Sequence, residues 1–241
     1  MNMEPWEFKP AKDLELAGMD RMRSYRRETG LAASLIRLLW WAFLRVFFRT
    51  WNHLRVEGRG NLPADAPFLL AANHASHLDA MLLMSLFPIS WRDRVFPIVA
   101  KDVFFEKISV AAFGAFFINA LPLWRNKAHA HDLSDLRAAL ESDPVVFILF
   151  PEGTRSRNGE MQEFKPGIGR IVAGTGVPVV PCWIDGVHGA MPPGAKFPMP
   201  RRLRLVIGKP LDFRDVPDKR DGWTHVAGET QRSIEALRAG A

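Results

Sequence analysis

The chain has 241 residues, 48% of them apolar and 24% charged, globular values that exclude a disordered tail, a collagen-like rod and a coiled coil. The balance of 32 Lys and Arg against 26 Asp and Glu gives a net charge of +6. That charge attracts anions, and nucleic acid fits least because no basic run is interleaved with stacking aromatics.

The opening residues, MNMEPWEFKPAKD, mix charges of both signs and lack the apolar core of a signal peptide. Together with the single cysteine, Cys182, which excludes an intramolecular disulfide and any multi-cysteine metal site, this places the chain in a reducing, cytoplasmic compartment. Residues 11–27 are polar and read as a partner helix that stops at Gly30. The next stretch, LAASLIRLLWWAFLRVFFRTW from Leu31 to Trp51, is long enough as a helix to reach across a bilayer core. Three arginines interrupt it, each costing about 2.5–3.5 kcal/mol at the bilayer centre. On a helical wheel Arg37, Arg45 and Arg49 share about a third of the circumference with Ser34 and Asn52. Opposite them lies a broad arc of Leu, Phe and Trp. A basic stripe facing such an arc predicts a helix lying in the membrane interface, with Arg37, Trp40, Trp41, Phe43 and Phe47 as contact residues. The alternative is an amphipathic helix packed on its own domain.

Beyond residue 55, short apolar runs alternate with helical patterns, which predicts an α/β domain with a mainly parallel twisted sheet flanked by helices. The chain therefore divides into an N-terminal helical membrane-interface segment, 1–54, and an α/β domain, 55–241. Candidate strands are Phe68–Ala72, Phe96–Ala100, Ala120–Leu123, Val145–Phe150, Val177–Trp183 and Leu203–Ile207. Ile108–Trp124 is apolar but short for a membrane span and contains Pro122, so a buried helix followed by a strand fits it best. Asp132–Ser142 and Thr224–Arg238 read as helices. The stretch GIGRIVAGTG fails as a dinucleotide fingerprint, because Val172 takes the third glycine position and no strand precedes it. Three strands run straight into polar, turn-rich loops: NHASHLD, PEGTRSRNG and DGVHG. Ligand sites of open α/β sheets form outside the carboxyl ends of strands, so these loops should face one cleft.

In the first loop, His74 and Asp79 stand five residues apart. On a regular helix that spacing rotates them by roughly 140° and they cannot meet. They meet only if His74 sits on the loop and Asp79 in the first helical turn. The carboxylate then accepts from one ring nitrogen and leaves the other free to take a proton from an alcohol. No G-x-S-x-G elbow accompanies the pair and Cys182 lies in an apolar strand, so direct attack by a substrate hydroxyl is favoured over a covalent intermediate. A rival reading takes His74, His77 and Asp79 as metal ligands of a hydrolase; a structural pair at a helix start is the third. In PEGTRSRNG, Arg155 is the better phosphate ligand and Arg157 a solvated loop charge.

Asn73, His74 and Asp79 in an N-H-x4-D block, followed by Phe150 to Ser156 reading F-P-E-G-T-R-S, closely resemble the glycerolipid acyltransferase family, bacterial 1-acylglycerol-3-phosphate acyltransferases among them. A weaker second block ends at Arg125 after an apolar strand, with Trp124 where the family often has an acidic residue. A weak fourth block, V-P-V-x-P, covers residues 177–181. The resemblance spans roughly residues 55–210. It implies that His74 is a general base oriented by Asp79, and that Arg125, Glu152, Gly153, Thr154, Arg155 and Ser156 bind the acceptor, with Glu152 bonded to its loop, to an arginine or to glycerol hydroxyls. It implies acyl transfer from acyl-CoA or acyl-carrier protein to a lysophospholipid. The default acceptor is 1-acyl-sn-glycerol-3-phosphate, with a lyso-ornithine lipid as another, and no metal or other cofactor is needed. The location expected is the cytoplasmic face of a membrane, held peripherally. A non-catalytic membrane-surface binding protein is the remaining alternative.

Overall fold

The computed structural model describes residues 11, 13–16, 20–21, 24–28, 30–100, 108–123, 130–192 and 194–240. Seven strands form one sheet: β1 (Arg55–Glu57), β2 (Phe68–Ala72), β3 (Val95–Ala100), β4 (Leu121–Leu123), β5 (Val146–Leu149), β6 (Val179–Asp185) and β7 (Arg204–Ile207). Their spatial order is β1-β7-β6-β2-β5-β3-β4. Among the described residues, β6 and β7 pair antiparallel and the other neighbouring strands run parallel. The helices are α1 (Leu31–Thr50), α2 (Leu78–Met84), α3 (Ile108–Phe117), α4 (Ala130–Ser142), α5 (Gly167–Val172), α6 (Val187–Ala190) and α7 (Arg220–Ala239).

The central strand β2, Phe-Leu-Leu-Ala-Ala, is buried along its whole length. It has no polar alternation because both faces of the sheet are covered, as expected of parallel sheets. Phe68, Leu70 and Ala72 point into a core shared with α1 and α2. Leu69 and Ala71 point the other way, into a core built with α4, α5 and α7. Burial of each large apolar side chain here stabilises the fold by about 1.5–3 kcal/mol relative to exposure. Gly169 of α5 shows how closely the second layer packs: a Cβ there would collide with the backbone of Trp223 in α7. That glycine serves helix packing, in keeping with the failure of its segment as a nucleotide fingerprint.

The predicted strands all form, with ends shifted by one or two residues, and Ile108–Trp124 divides into α3 and β4. The strand that patterning misses is β1. It has three residues and little apolar content, and it is held at the sheet edge by parallel pairing with β7 and by the Glu57–Arg204 ion pair at 2.7 Å. The expected helix over residues 11–27 lies partly outside the described residues.

Helix α1 forms over nearly the predicted span, but its basic stripe is split: Arg37 faces the domain while Arg45 and Arg49 are exposed. Arg37 is buried; it pairs with Asp93 at 2.8 Å and donates to the Arg92 carbonyl at 3.0 Å. Trp41 is buried as well, and its indole N–H donates to the Phe87 carbonyl, an acceptor shared with Arg45. Arg37 and Trp41 are therefore not outward-facing contact residues. The turn from Phe87 to Asp93 presents carbonyls and a carboxylate that hold Arg37 and Trp41 inward, and the exposed Arg45 reaches back to the same turn. Trp41, Leu44 and Phe48 join the same core as β2, so α1 packs as part of the domain. The outward side is mainly apolar, with Leu35, Ile36, Leu39, Phe43 and Val46 all exposed, and it is bordered by the exposed Arg45 and Arg49. Trp40 and Phe47 are half-buried and stack about Phe43, at centroid distances of 5.4 and 5.7 Å. By length and composition α1 is apolar enough to cross a membrane.

Candidate active site

The three turn-rich loops meet at the carboxyl ends of β2, β5 and β6. The first link is made by Asn73, which follows β2 directly. Its amide nitrogen donates to the Ile184 carbonyl at 2.9 Å, and its amide oxygen accepts from the Ile184 N–H at 2.7 Å. A side chain thus ties β2 to β6 where the regular ladder, last seen at Ala72 and Cys182, ends.

His74 and Asp79 come together as the spacing requires, His74 on the loop and Asp79 in the first turn of α2. The ring Nδ1 lies 2.8 Å from Asp79 Oδ2. The same oxygen accepts the backbone N–H groups of Ala75 at 2.8 Å and Ser76 at 2.9 Å. Asp79 is fully buried. An acceptor-only carboxylate at Nδ1 fixes the tautomer with its proton on Nδ1 and leaves Nε2 with a lone pair. Among the described residues Nε2 has no hydrogen-bonding partner, and the His74 side chain remains 20% exposed. Its ring stacks on Phe150, with centroids 4.1 Å apart and planes at 15°. An imidazole held in this way can accept a proton from a hydroxyl that approaches from solvent.

The third-block loop is fastened beneath this pair. The His74 carbonyl accepts the Ser156 N–H at 2.7 Å, and the His74 N–H donates to Glu152 Oε1 at 2.7 Å. Glu152 Oε2 accepts the Gln162 N–H at 3.0 Å. Both oxygens of this buried carboxyl are thereby committed to backbone. Burial pushes its pKa up to about 7, the two N–H donors oppose that rise, and the charge of Asp79 adds to it. Ser156 is likewise buried, and its hydroxyl donates to Asn158 Oδ1 at 2.9 Å. Glu152 thus takes the first of its expected roles, bonding its own loop, and Ser156, expected as a binding group, has its hydroxyl committed to Asn158. Gly153 adopts φ +71°, a left-handed turn that glycine accepts without strain, and the Lys165 side chain crosses over it. Thr154 is exposed and Arg155 half-buried.

The Arg155 guanidinium lies near enough to the first loop for its charge to reinforce the lowering of the His77 pKa by desolvation. Arg125 and Trp124 lie outside the described residues. The third loop closes the group: His188, on α6, sets Nε2 3.1 Å from the Arg157 carbonyl, and the Ser76 hydroxyl donates to the Met191 carbonyl at 3.1 Å.

Among the described residues, no three His, Cys, Asp or Glu side chains gather as a set that could hold a metal ion. Of the rival ligand set, His77 is exposed, and Asp79 Oδ2 is already committed to three donors, His74 Nδ1 among them. Cys182 is buried in β6, and burial pushes its thiol well above the usual range, which leaves it inert as a nucleophile.

A mainly parallel sheet thus carries, at its carboxyl edge, a histidine–carboxylate pair beside a basic glycine turn, an arrangement suited to taking a proton from a hydroxyl next to a bound anion. The Acyltransferase family model matches residues 53–185, more than half of the chain, and the chain belongs to that family. It is 31% identical over 175 residues to a chloroplastic 1-acyl-sn-glycerol-3-phosphate acyltransferase of Arabidopsis thaliana, covering 71% of this chain and 46% of the relative. It is 30% identical over 180 residues to 1-acyl-sn-glycerol-3-phosphate acyltransferase alpha of Mus musculus, covering 71% and 62%. The chain spans about half the length of several curated relatives it matches. The crystal structure of the 1-acyl-sn-glycerophosphate acyltransferase PlsC from Thermotoga maritima superposes with a TM-score of 0.59, at 23% identity, over 86% of this chain and 97% of that one. That likeness concerns the fold.

Proposed function

We propose that this protein is an O-acyltransferase that moves a fatty acyl group from an acyl thioester, acyl-CoA or acyl-carrier protein, to the free hydroxyl of a lysophospholipid. The acceptor favoured is 1-acyl-sn-glycerol-3-phosphate, which gives phosphatidic acid. The observation that carries this reading is the 2.8 Å contact between His74 Nδ1 and a fully buried Asp79, in a side chain that remains 20% exposed.

In the proposed reaction His74 Nε2 takes the proton of the acceptor hydroxyl while that oxygen attacks the thioester carbonyl carbon. Asp79 supports the imidazolium that forms. Collapse of the tetrahedral intermediate breaks the carbon–sulfur bond, and the departing thiolate recovers the proton from His74. The acyl thioester is a co-substrate, and the reaction as written takes no metal or further cofactor. Arg155, with Arg125 by resemblance, supplies the guanidinium groups suited to the acceptor phosphate. The outward apolar face of α1 rests on the cytoplasmic side of the membrane in which acceptor and product reside.

The test is an acyl-transfer assay with labelled acyl-CoA and, in parallel, acyl-carrier protein, across a panel of lyso-acceptors that includes a lyso-ornithine lipid. The expected result is transfer to lysophosphatidate that falls at least about a thousand-fold in His74→Ala and Asp79→Ala. Near-normal turnover by His74→Ala, or no transfer to any acceptor, would overturn the reading.

A further inference from the structure

Between β6 and β7 the chain makes a loop whose tip is apolar and whose flanks are basic. Phe197 is 81% exposed and Met199 46% exposed, and the neighbouring Lys196, Arg201 and Arg202 are exposed with them. Neither apolar side chain belongs to a core cluster. The loop is nevertheless well fastened. The Met199 N–H donates to the Ala190 carbonyl at 2.7 Å, and the buried Asn52 amide donates to the Met199 and Arg201 carbonyls at 3.2 and 3.3 Å. Trp51, 47% exposed at the end of α1, donates its indole N–H to the Pro198 carbonyl at 3.3 Å.

We propose that the loop 194–202 is a second membrane-contact element, which sets Phe197 and Met199, with Trp51, into the interface of an anionic phospholipid bilayer. Two observations select that occupant. The apolar tip is flanked along the chain by Lys196, Arg201 and Arg202, and its anchor Trp51 follows the exposed Arg49, a charge pattern complementary to anionic headgroups. The tip is also joined through Trp51 to the end of α1, whose outward face is apolar from Leu35 to Val46. An indole with its N–H satisfied and its ring exposed suits the boundary between headgroups and acyl chains. The inference shares the membrane reading of α1 and is independent of the proposed chemistry. The Met191 carbonyl, close before this loop, accepts the Ser76 hydroxyl of the His74 loop, which joins the proposed contact element to the site.

The experiment uses the full chain with Phe197→Cys labelled by an environment-sensitive fluorophore, since Cys182 is buried. Glu235→Cys on α7, which covers the opposite sheet face, serves as control. On vesicles of ~70% phosphatidylcholine and ~30% phosphatidylglycerol, the label at 197 should brighten about three-fold and shift to the blue, while the label at 235 stays unchanged. The exposed double variant Phe197→Ser/Met199→Ser should fold normally and partition onto these vesicles about ten-fold more weakly. Protein that sediments with vesicles while the label at 197 stays unchanged would overturn the loop's role and leave α1 as the contact. Failure to sediment at all would overturn the membrane reading, whereas acyl transfer to a short-chain soluble acceptor reports on the chemistry separately.

Discussion

Phe150 and His74 lie face to face, with ring centroids 4.1 Å apart and planes inclined by 15°. The phenyl ring comes from just beyond the end of β5 and the imidazole from just beyond β2, so two neighbouring strands fix the ring plane while Asp79 fixes its rotation. Replacement by Leu keeps most of the buried volume but removes the flat plate. Phe150→Leu should lower kcat about ten-fold with little change in KM for either substrate, as expected when orientation alone is lost. Steady-state kinetics checks this; unchanged kcat would show that Asp79 alone suffices to hold the ring.

Arg155 stands close enough to the His74 loop to act on His77 electrostatically. A guanidinium lost from a phosphate contact removes about 1.5–3 kcal/mol of binding. Arg155→Ala should therefore raise the acceptor KM by about ten- to a hundred-fold and leave the thioester KM nearly unchanged. Equal rises in both constants would assign Arg155 to the loop's structure instead.

Glu152 binds a proton more tightly in the folded protein, at about 7, than in the unfolded chain. Between its ordinary carboxyl value and about 7 the native state holds more protons, so stability falls as pH rises through that window. The contribution amounts to about 3 kcal/mol at most. Glu152→Gln should flatten this decline, which urea midpoints taken from about pH 4.5 to 8 will report. Parallel profiles for the two proteins would contradict the assignment.

The burial of Arg37 on α1 separates two effects that a helical wheel would merge. Arg37→Ala should cost about 1–3 kcal/mol of stability by removing a buried donor from the Arg92 carbonyl and from Asp93. Its binding to vesicles should be unchanged. Leu39→Ser with Phe43→Ser should do the reverse, releasing the protein from vesicles at nearly constant thermal midpoint. Sedimentation and thermal unfolding together check both halves.

Much of this architecture was legible in the sequence because parallel strands buried on both faces leave uninterrupted apolar runs, as in Phe68–Ala72. The meeting of His74 and Asp79 was legible too, since their spacing admits only one local geometry. The facing of α1 was not. A wheel shows which residues share a side, but only the carbonyls of the turn from Phe87 to Asp93 decide which side turns inward. A loop-bonding role for Glu152 was among those expected, but its particular partners were not legible: they are the backbone N–H groups of His74 and Gln162, and backbone groups carry no mark in the sequence. The exposed tip at Phe197 lay in a Pro-rich stretch, KFPMPRR, where neither helical nor strand periodicity applies; its mix of basic, aromatic and Met residues was the available signal.

The Asn73 amide pairs with both backbone groups of Ile184, so it imitates one further peptide unit at the tip of β2. With a counterfeit rung closing the ladder, the true main chain at His74 is released to bond elsewhere, downward to Glu152 and Ser156. The asparagine that heads the first block thereby works as carpentry: a carboxylate in its place would keep one half of the joint and repel the other, and the loop carrying the imidazole would lose its fixed point of departure.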